Sequence, residues 1–342
     1  MNMMPASIAA RRTLDYVSPG SAEAYGLNDK DPVALPDEPK DSRHLKALDA
    51  LLAKPLSGEA SKHFRQILSV YPAGTLEALK KHGLTIEITQ GQAVQGTTAS
   101  GATAVGGYDP NERRIMVDES ILMSNLGRHV MTHEVAHALD HMRGQRLGGK
   151  GLASSADTEL KTLFSQYMAR GAVEAVGQIR ANIKAKEGDL PARTELTVED
   201  SWGKMDVRYE QQGDNEVLRV EQQPRTLQGK IQDKMRQAAT GSASGKDLPR
   251  VEVEVDLQRG GKAHVVQEGT VSVVTLPKSS VTFTGDIWSD YAHRSGMPEE
   301  YTAEAFSHYL ENGSKREEMS FVDPDMLAYT EKVLNEEFNL HP

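Results

Sequence analysis

Met131-Thr132-His133-Glu134-Val135-Ala136-His137-Ala138-Leu139-Asp140-His141 is the stretch from which the rest of the chain can be read. On an α-helix, residues four apart share a face and lie one turn, about 6 Å, apart along the axis. His133 and His137 can therefore close on a single metal ion. Glu134 points about 100° round the helix from the first imidazole, beside such an ion and not onto it. This is the physical content of the HExxH pattern: two imidazole ligands, with a carboxylate placed as general base for a water at the metal.

The surrounding residues extend this reading. Met131, Val135, Ala138, Leu139 and Met142 fall on roughly the opposite face. That predicts an apolar back buried in a core and a His face open to a cleft. His129 and His141 lengthen the row to four imidazoles at spacing four. Positions eight apart are about 12 Å apart on a straight helix, whereas Zn–N bonds are about 2 Å, so three of the four do not share one ion. Only His133 is followed by Glu, which makes His133 and His137 the ligand pair. His129 and His141 read as a polar edge or as partners of the ligands, and a third ligand has to come from elsewhere.

Composition sets the class. The chain has 342 residues, 38% of them hydrophobic and 26% charged, which fits a soluble globular protein with one large or two ordinary domains. A net charge of −10 and no basic tract argue against nucleic acid as a partner. The absence of Cys excludes disulfides, thiolate metal sites and Cys nucleophiles. No apolar run approaches the roughly 20 residues of a membrane span. Arg11-Arg12 is not followed by the apolar core of a Sec signal. The expectation is a cytoplasmic protein or one exported by a non-Sec route.

Residues 1–43 are rich in Pro, Asp, Ser and Ala and read as a disordered or loosely attached leader. From 44 the apolar spacing is helical through Leu45, Leu48, Leu51, Phe64, Ile67, Leu76 and Leu79, with breaks at Pro55 and Pro72. Leu84 to Thr89 and Arg113 to Asp118 read as strands, with a Gly-rich loop over 91–107 between them. Ser120 or Ser124 then starts the His helix, and Gly144, Gly148 and Gly149 stop it. Within 150–285 the pattern predicts a helix over 158–186 and strands at 205–210, 217–220, 251–257, 263–266 and 271–276. A further helix is expected over 227–239 and a linker at 241–245. No ligand-spaced His/Asp/Glu group occurs in this block, which reads as an insertion of unknown role.

The stretch Pro298-Glu299-Glu300-Tyr301-Thr302-Ala303-Glu304-Ala305-Phe306 has the form of a helix start, with Pro in the first turn and carboxylates at its positive end. Glu300 and Glu304 share a face. One can ligate a metal while the other accepts a hydrogen bond from a ligand His; two such residues also suit a plain solvated face.

These motifs together resemble the zinc metallopeptidases of the anthrax lethal factor type, a gluzincin family that includes bacterial Pro-Pro endopeptidases. The family's HExxH continues into Ala-x-Asp, as in Ala138-Leu139-Asp140. A Gly-Gly-Tyr and a strand precede the helix, as in Gly106-Gly107-Tyr108 and Ile115-Met116-Val117. A Tyr-Ala segment and Glu-aromatic-x-Ala-Glu-Ala-Phe follow, as in Tyr291-Ala292 and Glu300 to Phe306. The match covers roughly 80–145 and 285–342.

The resemblance implies an α+β fold, a zincin-like domain with a small mixed β-sheet and the HExxH helix; the α/β insertion that interrupts it is read from the sequence, and nothing of the family carries over to it. The catalytic domain would comprise 44–149 and 286–342, with 150–285 inserted. It implies one Zn²⁺ held by His133, His137 and Glu300, with Glu134 as base and Tyr291 facing the substrate as oxyanion donor. Glu304 and Asp140 would support the ligands, and Tyr301 is the other tyrosine in reach. The implied activity is endopeptidase cleavage of a protein or peptide. The alternatives are another zinc hydrolase such as an amidase, a non-catalytic zinc-stabilised binding module, and a latent protease gated by 150–285. A disordered leader without a Sec signal suits an injected bacterial effector or toxin; a housekeeping peptidase is the plainer reading.

Overall fold

The computed structural model describes residues 35–90, 94–97, 103–104, 106–149, 151–187, 192–200, 203–223, 248–257, 261–278, 297–311 and 313–341. The Asp41 carboxylate accepts hydrogen bonds from the N–H groups of Arg43 and His44, so helix α1 (Ser42–Leu51) starts on a capped turn. Before it, Leu35 packs against the core and Glu38 pairs with Arg65 at 3.1 Å. Packed chain thus begins ahead of the expected leader boundary at 43; residues 1–34 of that leader lie outside the described residues. Helices α2 (Gly58–Leu68) and α3 (Ala73–His82) follow, then strand β1 (Thr85–Thr89).

The expected loop over 91–107 is partly strand: β2 (Val94–Thr97), β3 (Thr103–Ala104) and the start of β4 (Gly106–Asp109). Strand β5 (Arg114–Asp118) pairs parallel with β1 and antiparallel with β4, giving a small mixed sheet in the order β1-β5-β4. Gly106 is glycine because of contact, not because of a loop. A Cβ there would come within 2.5 Å of Val130 Cγ1, so the bare backbone is what lets β4 lie against the next helix.

The His helix, α5, runs over Gly127–Arg146, after a short helix α4 (Glu119–Leu122) whose first turn is capped by Asp118. The Ser120 and Ser124 starts are therefore corrected. Asp118 captures the N–H of Ser120 for α4, and the Ser124 hydroxyl bonds back to the Ile121 carbonyl. Gly144 does not stop α5 but lies inside its last turns. There a Cβ would overlap the carbonyl of Gly151 and press on the Ala153 amide.

Helix α6 (Thr158–Glu187) leads into strands β6 (Arg193–Asp200), β7 (Gly203–Gln212), β8 (Asn215–Gln223), β9 (Val251–Asp256), β10 (Lys262–Glu268) and β11 (Val271–Pro277). They form one antiparallel sheet in the order β6-β7-β8-β11-β10-β9, in which two three-strand meanders meet through their last strands. Alternation along the strands puts Val207, Tyr209, Leu218, Val265 and Val274 against Ala169, Ala172, Val173 and Val176 of α6. The other face carries charged residues such as Asp206, Arg208, Glu254 and Lys262. The sequence reading missed β6, and the helix and linker expected over 227–245 lie outside the described residues.

Helices α7 (Pro298–Glu311), α8 (Gly313–Val322) and α9 (Pro324–Lys332) complete the first core, which gathers α1–α5, the three-stranded sheet and the first half of α6. Leu160, Phe164 and Tyr167 of α6 belong to this core and not to the second, so 150–285 is not an insertion from its first residue. The fold mixes α and β, and no helix among the described residues is long and apolar enough to cross a membrane.

The glycine contacts make a stability prediction. Gly144→Ala should lower the thermal midpoint by about 2–10 °C through overpacking against backbone. Gly74→Ala, with nothing within 4 Å of its Cβ, should hold or raise it. Equal midpoints for the two variants in a calorimetric scan would contradict this packing.

Candidate metal centre

Helices α5 and α7 pack side by side and each brings polar residues to the seam at intervals of about one turn. His129, His133 and His137 come from α5; Glu300, Glu304, His308 and Glu311 come from α7. The first six are buried, and Glu311, at the end of α7, still keeps its side chain within the seam, 6% exposed. The His face of α5 therefore does not open directly to a cleft among the described residues, as its amphipathic pattern had suggested. It is covered by α7, whose carboxylates replace water as partners of the imidazoles.

The lower rung is compact. His133 Nε2 lies 3.2 Å from Glu300 Oε2 and 3.2 Å from His137 Nε2, while His137 Nε2 lies 3.4 Å from Glu300 Oε2. Ligands bound tetrahedrally at about 2.0–2.1 Å are separated by roughly 3.3–3.4 Å, so the three atoms sit like three corners of such a site. These His and Glu groups could hold a metal ion. Burial alone would discourage charge on any of them. The hydrogen bonds to Glu300 and Glu304 nevertheless hold His133 well above the ordinary imidazole range, and the Glu300 charge raises His137. The imidazoles in turn hold Glu300 well below the usual carboxylate range. An arriving cation competes with protons for these ligands.

Glu134, 9% exposed, sits beside this triangle. Its carboxylate accepts the backbone N–H of Tyr108 on β4, and burial raises its pKa against the opposing charges of His133 and His137.

The upper rung is built round Glu304. Its Oε1 lies 2.9 Å from His133 Nδ1 and 3.2 Å from His129 Nε2. His129 Nδ1 faces Glu311 at 3.1 and 3.2 Å, and Glu311 also accepts the Thr132 hydroxyl. Burial would strip His129 of its charge, but the Glu311 and Glu304 carboxylates outweigh it and lift the imidazole to about 9. His308 Nε2 is 3.6 Å from Glu304 Oε2, and there burial wins, holding that imidazole down at about 4. Candidate ligand atoms of His129, Glu304 and His308 also lie within 4.8 Å of one another.

Of the other residues expected at the site, Asp140 is buried, and its carboxylate accepts the Ser154 N–H at 3.0 Å and the Ser154 hydroxyl, pinning the turn after α5. Tyr291 lies outside the described residues. Tyr301 is fully buried against Phe164 and Tyr167, with its hydroxyl donated to Asp323, and belongs to the core. His141 meets the Tyr108 hydroxyl at 2.7 Å. Sequence reading missed the parts played by His308, Glu311 and Thr132; the signal was there in the spacing, four and seven residues after Glu304 and three after His129. No protein-family model and no curated protein matches the chain.

Because carboxylates stabilise the protonated ligand imidazoles, metal uptake should release protons, and apparent affinity should fall as pH is lowered. Competition with a chelator at pH 8 and pH 6 reads this, and an unchanged affinity would contradict these electrostatics.

Proposed function

We propose that the protein is a zinc-dependent endopeptidase in which His133, His137 and Glu300 hold the metal and Glu134 moves the proton. The reading is carried by one observation, the near-tetrahedral spacing of these three ligand atoms with a buried carboxylate alongside. Two imidazoles and one carboxylate are a catalytic zinc donor set, and the Cys-free chain offers no thiolate alternative. Bound there, zinc would supply a Lewis acid that acidifies water and polarises the scissile carbonyl.

The chain's own residues then divide the work. Glu134 takes a proton from the attacking water on its carboxylate and returns it to the departing amine. A carboxylate whose basicity is raised by burial is suited to both steps. The Tyr108 amide fixes the orientation of Glu134. Among the described residues, strand β4 lies at the edge of its sheet, beside Glu134, and an extended peptide can add there through backbone hydrogen bonds. That favours peptide over a small amide as substrate. Tyr291 is assigned to the developing oxyanion by the resemblance to lethal factor-type peptidases, which also supports a zincin-like fold and the reading as an exported effector. A buried carboxylate at Glu134 is costly to keep, which speaks against a non-catalytic module.

Glu134→Gln should keep one zinc per chain and lose about 10²–10⁴-fold in kcat, whereas His137→Ala should lose the metal. Cleavage profiling of a peptide library with the zinc-loaded proteins tests both. Cleavage by Glu134→Gln at the parent rate would sink the mechanism.

A further inference from the structure

His129 takes no part in holding the metal under this reading, yet it is among the most completely enclosed polar residues of the seam, 1% exposed. Both of its ring nitrogens meet carboxylates: Nδ1 lies 3.1 and 3.2 Å from the two oxygens of Glu311, and Nε2 lies 3.2 Å from Glu304 Oε1. The ring is thus held at both ends, between Glu311 and Glu304. Neighbouring groups extend the row. Glu311 also faces the Thr132 hydroxyl. The third imidazole of the cluster, His308, stands 3.6 Å from the other oxygen of Glu304.

Glu304 Oε1 is shared between two rings, His129 and the ligand His133. Without His129, Glu304 loses one of the two contacts that fix its Oε1. His133 is then freer to turn or to change tautomer, moving the Nε2 lone pair away from the metal. The row therefore runs Thr132–Glu311–His129–Glu304–His133.

We propose that His129 is a positioning residue for the metal ligand His133: clamped between Glu311 and Glu304, it holds Glu304 Oε1 beside His133 Nδ1. The inference rests on the assignment of His133, His137 and Glu300 as the metal site. It differs from a second metal site at His129, Glu304 and His308, in which His129 Nε2 would bind an ion instead of facing Glu304.

The test uses the full chain with zinc and with cobalt(II) in its place. His129→Gln is neutral and offers donors to one carboxylate only. It should weaken zinc binding about 10–100-fold in competition with a chromophoric chelator and shift the visible cobalt bands. Glu311→Gln, one residue further from the ligand and nearly isosteric, should move both readouts in the same direction by a smaller factor. It also keeps the proposal testable should His129→Gln fail to fold. A purely structural role would lower the melting point of the metal-free chain and leave the cobalt spectrum alone. One zinc per parent chain with parent affinity and spectrum in the folded variants would overturn the role of His129 alone. Two zinc ions per parent chain, falling to one in His129→Gln, would overturn it in favour of a second site. A parent chain that takes up no zinc would overturn the metal reading beneath it.

Discussion

Two buried helices face each other with imidazoles on one and mainly carboxylates on the other, and the rest of the structure is arranged to make that seam tolerable. A carboxylate moved into a protein interior without compensation costs several kcal/mol. Glu300, Glu304 and Glu311 avoid that cost because α5 brings an imidazole to each at intervals of one turn. Neither helix is self-sufficient: α5 alone would bury a row of histidines, and α7 alone a row of acids.

That mutual dependence explains the scaffold. The back of α5 is locked into the first core by Val130, Met131, Val135 and Leu139, and α7 by Tyr301, Phe306 and Leu310. The Tyr301 hydroxyl ties α7 to Asp323 at the end of α8, and Arg170 of α6 reaches the same carboxylate at 2.8 Å. The three-stranded sheet contributes through β4, which passes close enough to Glu134 for a backbone amide to orient it because residue 106 has no side chain. Helix α6 links this core to the six-stranded sheet by giving its first half to one and its later turns to the other.

Much of this was legible in the sequence, for a physical reason. Spacing of four on a helix is a local property, so His133, His137 and the Glu300–Glu304 pair could be placed on faces before any fold was known. Hydrophobic period likewise placed most strands and helices. What was not legible depended on neighbours remote in sequence. Gly106 and Gly107 looked like loop residues because only the approach of Val130 explains the first of them. The amphipathic pattern of α5 suggested an open His face because nothing local reveals that α7 covers it. His129 looked spare until Glu304 and Glu311, more than 170 residues later, were seen on either side of its ring. Asp140 carried no local sign that its partner would be Ser154. Strand β6 alternates Thr, Leu and Val with acidic residues in a pattern too polar to stand out.

The proposed chemistry requires α5 and α7 jointly to supply one metal site of two imidazoles and one carboxylate. X-ray absorption at the zinc edge of the loaded full-length protein tests that most directly. The expected spectrum has a nitrogen and oxygen shell at about 2.0–2.1 Å with the outer-shell scattering of two imidazoles, reduced to no bound zinc in His133→Ala. An oxygen-only shell, or scattering from a single imidazole, would contradict it.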